Sequence, residues 1–143
     1  MKRGLFFIVL VILLPIFILN GDAPKQVEIK GTLRMYMLNF GGEAKRISKY
    51  RETDWMRETV AFVIEVDQTM DMRMYLDPDE LEFLDKNQQS AFMVVPKFKY
   101  DGKNFAAKYA NKRVQAIGTF YVPGGGWRNM TTVVMDLKEI SLQ

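Results

Sequence analysis

Between Val27 and Met37 the chain alternates with period two, and this stretch restricts the fold more than any other. Val27, Ile29, Leu33, Met35 and Met37 are apolar at odd positions, with Glu28, Lys30, Thr32 and Arg34 between them. Successive side chains of a strand point to opposite faces, so this run reads as a half-buried strand. Gly31 interrupts the apolar series, as a sharp bend in a curled sheet would require.

The same pattern recurs downstream. A second strand is expected from about Thr59 to Val66, with Val60, Phe62, Ile64 and Val66 on one face. A turn near Asp67-Gln68-Thr69 then leads into a third strand, Met70 to Leu76, completing an antiparallel hairpin. Asn39 to Arg57 reads as a long loop with one helical turn. Asp77-Pro78-Asp79-Glu80 is a helix start: Asp77 caps, Pro78 takes the first position and Glu80 completes a capping box. That helix is expected to end near Lys86-Asn87. Ala91 to Lys99 is strand-like, with Pro96 at an edge or bend, and Asn104 to Ala110 reads as a short helix. Lys112 to Val122, with Gly118 inside it, and Thr131 to Ile140 are strands joined through Pro123-Gly124-Gly125-Gly126. This order predicts a mainly β domain. Its form would be a small five-stranded OB-like barrel with one or two short helices between strands 3 and 4. An open sandwich or half-barrel is the alternative.

Composition fits one such domain. The chain has 143 residues, 48% hydrophobic and 26% charged, which is too apolar for a disordered chain. It contains no Cys and no His. This removes Ser-His-Asp and Cys-His catalysis, a Cys/His zinc site and any disulfide-linked oligomer.

The first residues form a separate unit. Lys2 and Arg3 precede an apolar run from Leu5 to Leu19, broken only by Pro15 and followed by Asn20-Gly21-Asp22. At 15 residues the run is shorter than the about 17–25 of a membrane span. Residues 1–21 therefore read as a signal peptide, or as an uncleaved N-terminal anchor to the inner membrane, and 22–143 as the exported domain. Without Lys2 and Arg3, the domain holds 18 basic and 17 acidic groups. A net charge of +1 gives no electrostatic basis for binding nucleic acid.

Two stretches carry a resemblance. Val27-Glu28-Ile29-Lys30-Gly31-Thr32-Leu33 opens the domain. Lys112-Arg113-Val114-Gln115-Ala116-Ile117-Gly118-Thr119-Phe120 leads, through the glycine turn, to Thr131-Thr132-Val133-Val134-Met135. A V-x-x-x-G-T-L opening and a late K-R-V-x-x-x-G-T-F with T-x-V-x-M resemble small exported bacterial OB-like domains of uncharacterised function. The resemblance implies the barrel fold and export. Those domains carry a His-rich last turn; here Trp127-Arg128-Asn129 stands in its place, so no role of those histidines transfers.

Met70, Met72 and Met74 form M-x-M-x-M. Thioether sulfur suits soft Cu(I) or Ag(I), and Met72-Arg73-Met74 is similar to the site of periplasmic OB-barrel copper chaperones. That site adds a His and a Trp, which this segment lacks. The plain alternative is that these methionines fill the core. Arg34-Met35-Tyr36 is echoed by Arg73-Met74-Tyr75. If both Met point inward, Arg34, Tyr36, Arg73 and Tyr75 share an outer surface that offers anion contacts and stacking rings. Tyr and Arg also suit exposed strand positions without any ligand. Trp127, in the last connection, is a further contact candidate or a lid folded over the barrel, and Trp55 in the long first loop is equally ambiguous. Asp67, Asp71, Asp77, Asp79, Glu80 and Glu82 fit a turn and a helix start better than paired catalytic carboxylates.

The expectation is thus a non-catalytic, periplasmic or secreted binding domain that uses no cofactor. Its ligand residues would be Arg34, Tyr36, Arg73, Tyr75 and Trp127, and its partner a periplasmic protein or a small ligand. A periplasmic immunity or inhibitor protein against a toxin or wall hydrolase is the alternative. Cu(I) or Ag(I) binding through Met70, Met72 and Met74 is a third.

Overall fold

The computed structural model describes residues 24–54, 56–96, 101–124 and 130–143. The segment expected to be a signal or anchor, Trp55, and Trp127 with most of the glycine turn lie outside these residues.

Among the described residues six strands occur: β1 (Gln26–Asn39), β2 (Ala44–Ile47), β3 (Glu58–Asp71), β4 (Gln88–Val95), β5 (Arg113–Tyr121) and β6 (Val134–Leu142). Two short helices, α1 (Pro78–Leu81) and α2 (Gly102–Tyr109), and a 3-10 turn at Met72–Met74 complete the described elements. Five strands close a barrel in the order β1-β3-β4-β6-β5, with β5 returning to β1. All these pairings are antiparallel except β4 with β6. β2 pairs with β1 outside the barrel. With α2 between the third and fourth barrel strands, this is the OB-like arrangement.

Closure depends on β1. Its first half, Gln26 to Thr32, pairs with β5, and its second half, Gly31 to Asn39, pairs with β3. The strand changes partners at Gly31, where a Cβ would collide with the backbone carbonyl of Glu65 and sit 2.9 Å from Val66 Cα. Gly118 does the same between β5 and β6: a Cβ there would strike the Asp136 carbonyl. Both glycines allow a backbone approach that any side chain blocks.

The odd-numbered face of β1 turns inward as its pattern requires: Val27, Ile29, Leu33 and Met35 are buried in the core with Phe62, Ile64, Phe92, Val114 and Leu137. α2 closes over this core. Asp101 caps it by accepting from Asn104 N at 2.6 Å, and Phe105 meets Phe62 edge-on, ring centroids 4.8 Å apart. The helix ends before Asn111, which has φ 59°, a left-handed conformation that Asn tolerates.

Four expectations need correction. No hairpin forms at Asp67-Gln68-Thr69; β3 runs through to Asp71, with a bulge between Glu65 and Met70 where its register on β4 shifts. The segment has no glycine for a tight hairpin turn. Instead the bulge lets Asp67 take a bidentate pair with Arg113 of β5, at 2.9 and 2.5 Å, which holds the Asp67 carboxyl below the usual range. Second, the stretch expected as a strand from Met70 to Leu76 leaves the sheet after Asp71: Asp71 accepts from Arg73 N at 3.1 Å and starts the 3-10 turn. The third barrel strand is β4, which stops before Pro96. Third, the Asp77 helix has its capping box but only four residues, so α2 is the helix that fills the OB position. Fourth, the long first loop contains a short strand, β2, in place of a helical turn.

Candidate functional site

The structure separates the four residues of the Arg-Met-Tyr echo. Arg34 and Tyr36 lie on the outer side of β1, opposite Val63 and Ala61 of β3. Tyr36 donates to Glu65 Oε1 at 3.0 Å, Arg34 Nε approaches Oε2 at 3.5 Å and Arg46 of β2 lies 3.7 Å from it. Burial, then the bond to Glu65, raises the Tyr36 phenol above its ordinary value. This cluster largely satisfies itself.

Arg73 sits on the 3-10 turn and is bound to Asp71, its Nη2 2.6 Å from Oδ2. These contacts hold the Asp71 carboxyl below the ordinary range. Tyr75 is half-buried, as Tyr36 is, but against different neighbours: it packs edge-on against Phe120 with centroids 5.7 Å apart. The shared outer surface is therefore corrected: its premise was a strand where the chain makes a 3-10 turn. The three methionines divide for the same reason. Met72 is 0% exposed and Met74 64%, while Met70 is partly buried against the core, so they form no single face.

Tyr75 instead lines a groove of about 860 Å³. One wall is the 3-10 turn and the start of α1, with Met74, Tyr75, Asp77 and Glu80. The opposite wall is Thr119 and Tyr121 of β5 and Asp136 of β6, placed by the pairing of Thr119 with Asp136. Pro24 and Lys25 lie along it just before β1 begins.

The charged groups here differ in how far they are committed. Asp77 and Glu80 bond each other's backbone in the capping box, and Glu80 Oε1 also accepts from Val122 N at 3.4 Å. Asp136 is exposed, and its charge acts on Tyr121: burial first, then Asp136, raises the Tyr121 phenol above its ordinary value. Lys25 Nζ donates to the Met74 carbonyl at 3.1 Å and stands 5.2 Å from the centroid of the Tyr75 ring. The groove thus presents two phenol rings, a thioether and carboxylates around an open space, a set suited to holding a ligand by stacking and charge.

Sequence reasoning singled out Tyr75 but missed Lys25, Thr119, Tyr121 and Asp136 as groove residues. Tyr121 carried a usable signal, an aromatic at an outward strand position at the edge of the last turn. Lys25 and Asp136 carried none, because barrel closure brings them near Tyr75. Comparison with family models, with curated proteins and with solved structures finds no match to the chain.

Proposed function

We propose that this chain is a non-catalytic, exported binding domain of OB type and that the groove between the 3-10 turn and β5 is its ligand site. The observation that carries this reading is the meeting of Tyr75 and Tyr121 in one open groove. Its volume falls within the about 300–1,000 Å³ common for ligand sites. The groove also begins at the base of the β5–β6 connection, one of the loops through which OB barrels contact ligands.

The test is a two-dimensional NMR titration with blocked amino acids of cationic, anionic, neutral and aromatic type. At least one class is expected to move the amide signals of Lys25, Tyr75, Thr119, Tyr121 and Asp136 together. Tyr121→Ala should weaken that binding by about 1 kcal/mol or more with little change in the melting midpoint. If every class leaves the groove signals in place, this site assignment is wrong.

Export belongs to the same proposal. Expressed with its first 21 residues, the protein is expected in the periplasm with a start near Asp22, checked by intact mass. A species retaining Met1 in the membrane fraction would replace the cleaved form with an anchored one.

A further inference from the structure

The seat of Lys25 narrows the ligand class. An ammonium 5.2 Å from the centroid of the Tyr75 ring, bonded to the Met74 carbonyl, is a cation held by a π face and a backbone acceptor. The lysine that fills this seat is exposed and precedes β1, which starts at Gln26, so its side chain has open solvent to swing into. Asp136 of β6 lines the same groove and is in no salt bridge among the described residues. Met74 is 64% exposed, leaving its thioether free to lie along an alkyl chain.

We infer that the groove recognises a primary ammonium on an alkyl chain, and that Lys25 occupies the seat from within until such a ligand displaces it. This rests on the groove being the binding site. Tyr75 supplies the π face and the Met74 carbonyl accepts one N–H. Asp136 adds negative charge, and Tyr121 and Met74 flank the methylenes. The same chemistry is offered by a lysine side chain of a peptide and by a free diamine. A seat already filled lowers apparent affinity by the fraction of time it is open, so removing the internal occupant strengthens binding.

The experiment titrates the protein with N-acetyl-lysine methylamide, cadaverine, N-acetyl-norleucine methylamide and N-acetyl-glutamate methylamide, followed by NMR at the groove amides. The blocked lysine is expected to bind tightest of the three blocked amino acids. Lys25→Gln should improve its affinity roughly five- to tenfold, the factor for a seat closed most of the time. Asp136→Asn should weaken it severalfold. Cadaverine binding as well as the blocked lysine would identify a diamine as the source; a clear preference for the blocked lysine would identify a peptide. Equal binding of norleucine and lysine at the groove overturns the ammonium inference and leaves the binding site standing. Unchanged affinity in Lys25→Gln overturns the internal occupant, and with it the inference. Silence of the groove amides toward every probe overturns the site itself. Tyr75→Leu should abolish the lysine preference; because Tyr75 also packs on Phe120, the surface variant Lys25→Gln decides the matter if Tyr75→Leu fails to fold.

Discussion

Gly31→Ala is expected to destabilise the protein by about 3 kcal/mol or more, the upper end of the cost of forcing atoms into a packed interior. A single methyl has this effect because of what it would strike. The added Cβ would overlap the Glu65 carbonyl, with Glu65 C at 2.8 Å and Val66 Cα at 2.9 Å. These are backbone atoms of the neighbouring strand, which cannot swing aside as the end of a side chain would. Relief requires β1 and β3 to part where β1 also pairs with Val114 of β5. The damage therefore falls on barrel closure. Gly124→Ala is the control: among the described residues nothing lies within 4 Å of the Cβ position, and the change should stay within about 0.5 kcal/mol. Urea unfolding of both variants is the measurement. A wild-type midpoint for Gly31→Ala would mean that the strands are slack at this crossing and that closure is set elsewhere.

What was legible in the sequence follows from this architecture. β1 could be read because one face of it is buried along most of its length, so burial is written as a period of two. Gly31 and Gly118 could be read as bends because a glycine inside a strand pattern has few other uses. The course of β3 could not. A bulge adds residues to one strand without any alternation of its own, and Val66 to Met70 looks the same whether the chain reverses or bends. Met70, Met72, Met74 and Leu76 then imitate a strand, because a 3-10 turn with one buried methionine and a neighbouring exposed one also separates apolar residues by two. The deciding contacts, Asp71 with Arg73 and Met72 N with the Asn87 carbonyl at 2.8 Å, are choices between two plausible partners that spacing alone does not rank. The candidate site was legible only in part, for a related reason. Tyr75 stood out through its echo of Tyr36, yet the surface they were expected to share does not form. Its groove neighbours, Tyr121 and Asp136, lie 46 and 61 positions away in the chain, and only the return of β5 to β1, with β6 paired on β5, brings them into one groove with it.

The same 3-10 turn yields the second large effect. Met72→Ala should cost roughly 2–5 kcal/mol, the range for removing a core methionine. Met74→Ala, two positions on, should change stability by no more than about 0.5 kcal/mol. Met72 is 0% exposed, among the core residues that β1, β3, β4 and α2 surround, whereas Met74 is 64% exposed on the groove wall. A strand would have given the two residues one face and similar costs; the turn gives them opposite environments. Met72 also anchors the turn that carries the groove wall. Its carbonyl accepts from Tyr75 N and Leu76 N, both at 3.0 Å, and so fixes the Tyr75 ring and, through the next residues, the Met74 carbonyl that holds Lys25. Losing the Met72 side chain should therefore loosen the groove even where the barrel survives. Urea unfolding, read beside the NMR signals of Tyr75 and Lys25, checks both parts. Met72→Ala is expected to lower the midpoint and broaden those signals, and Met74→Ala to do neither. Equal costs at the two positions would restore a shared face and remove the structural basis for separating these methionines into one that supports the site and one that lines it.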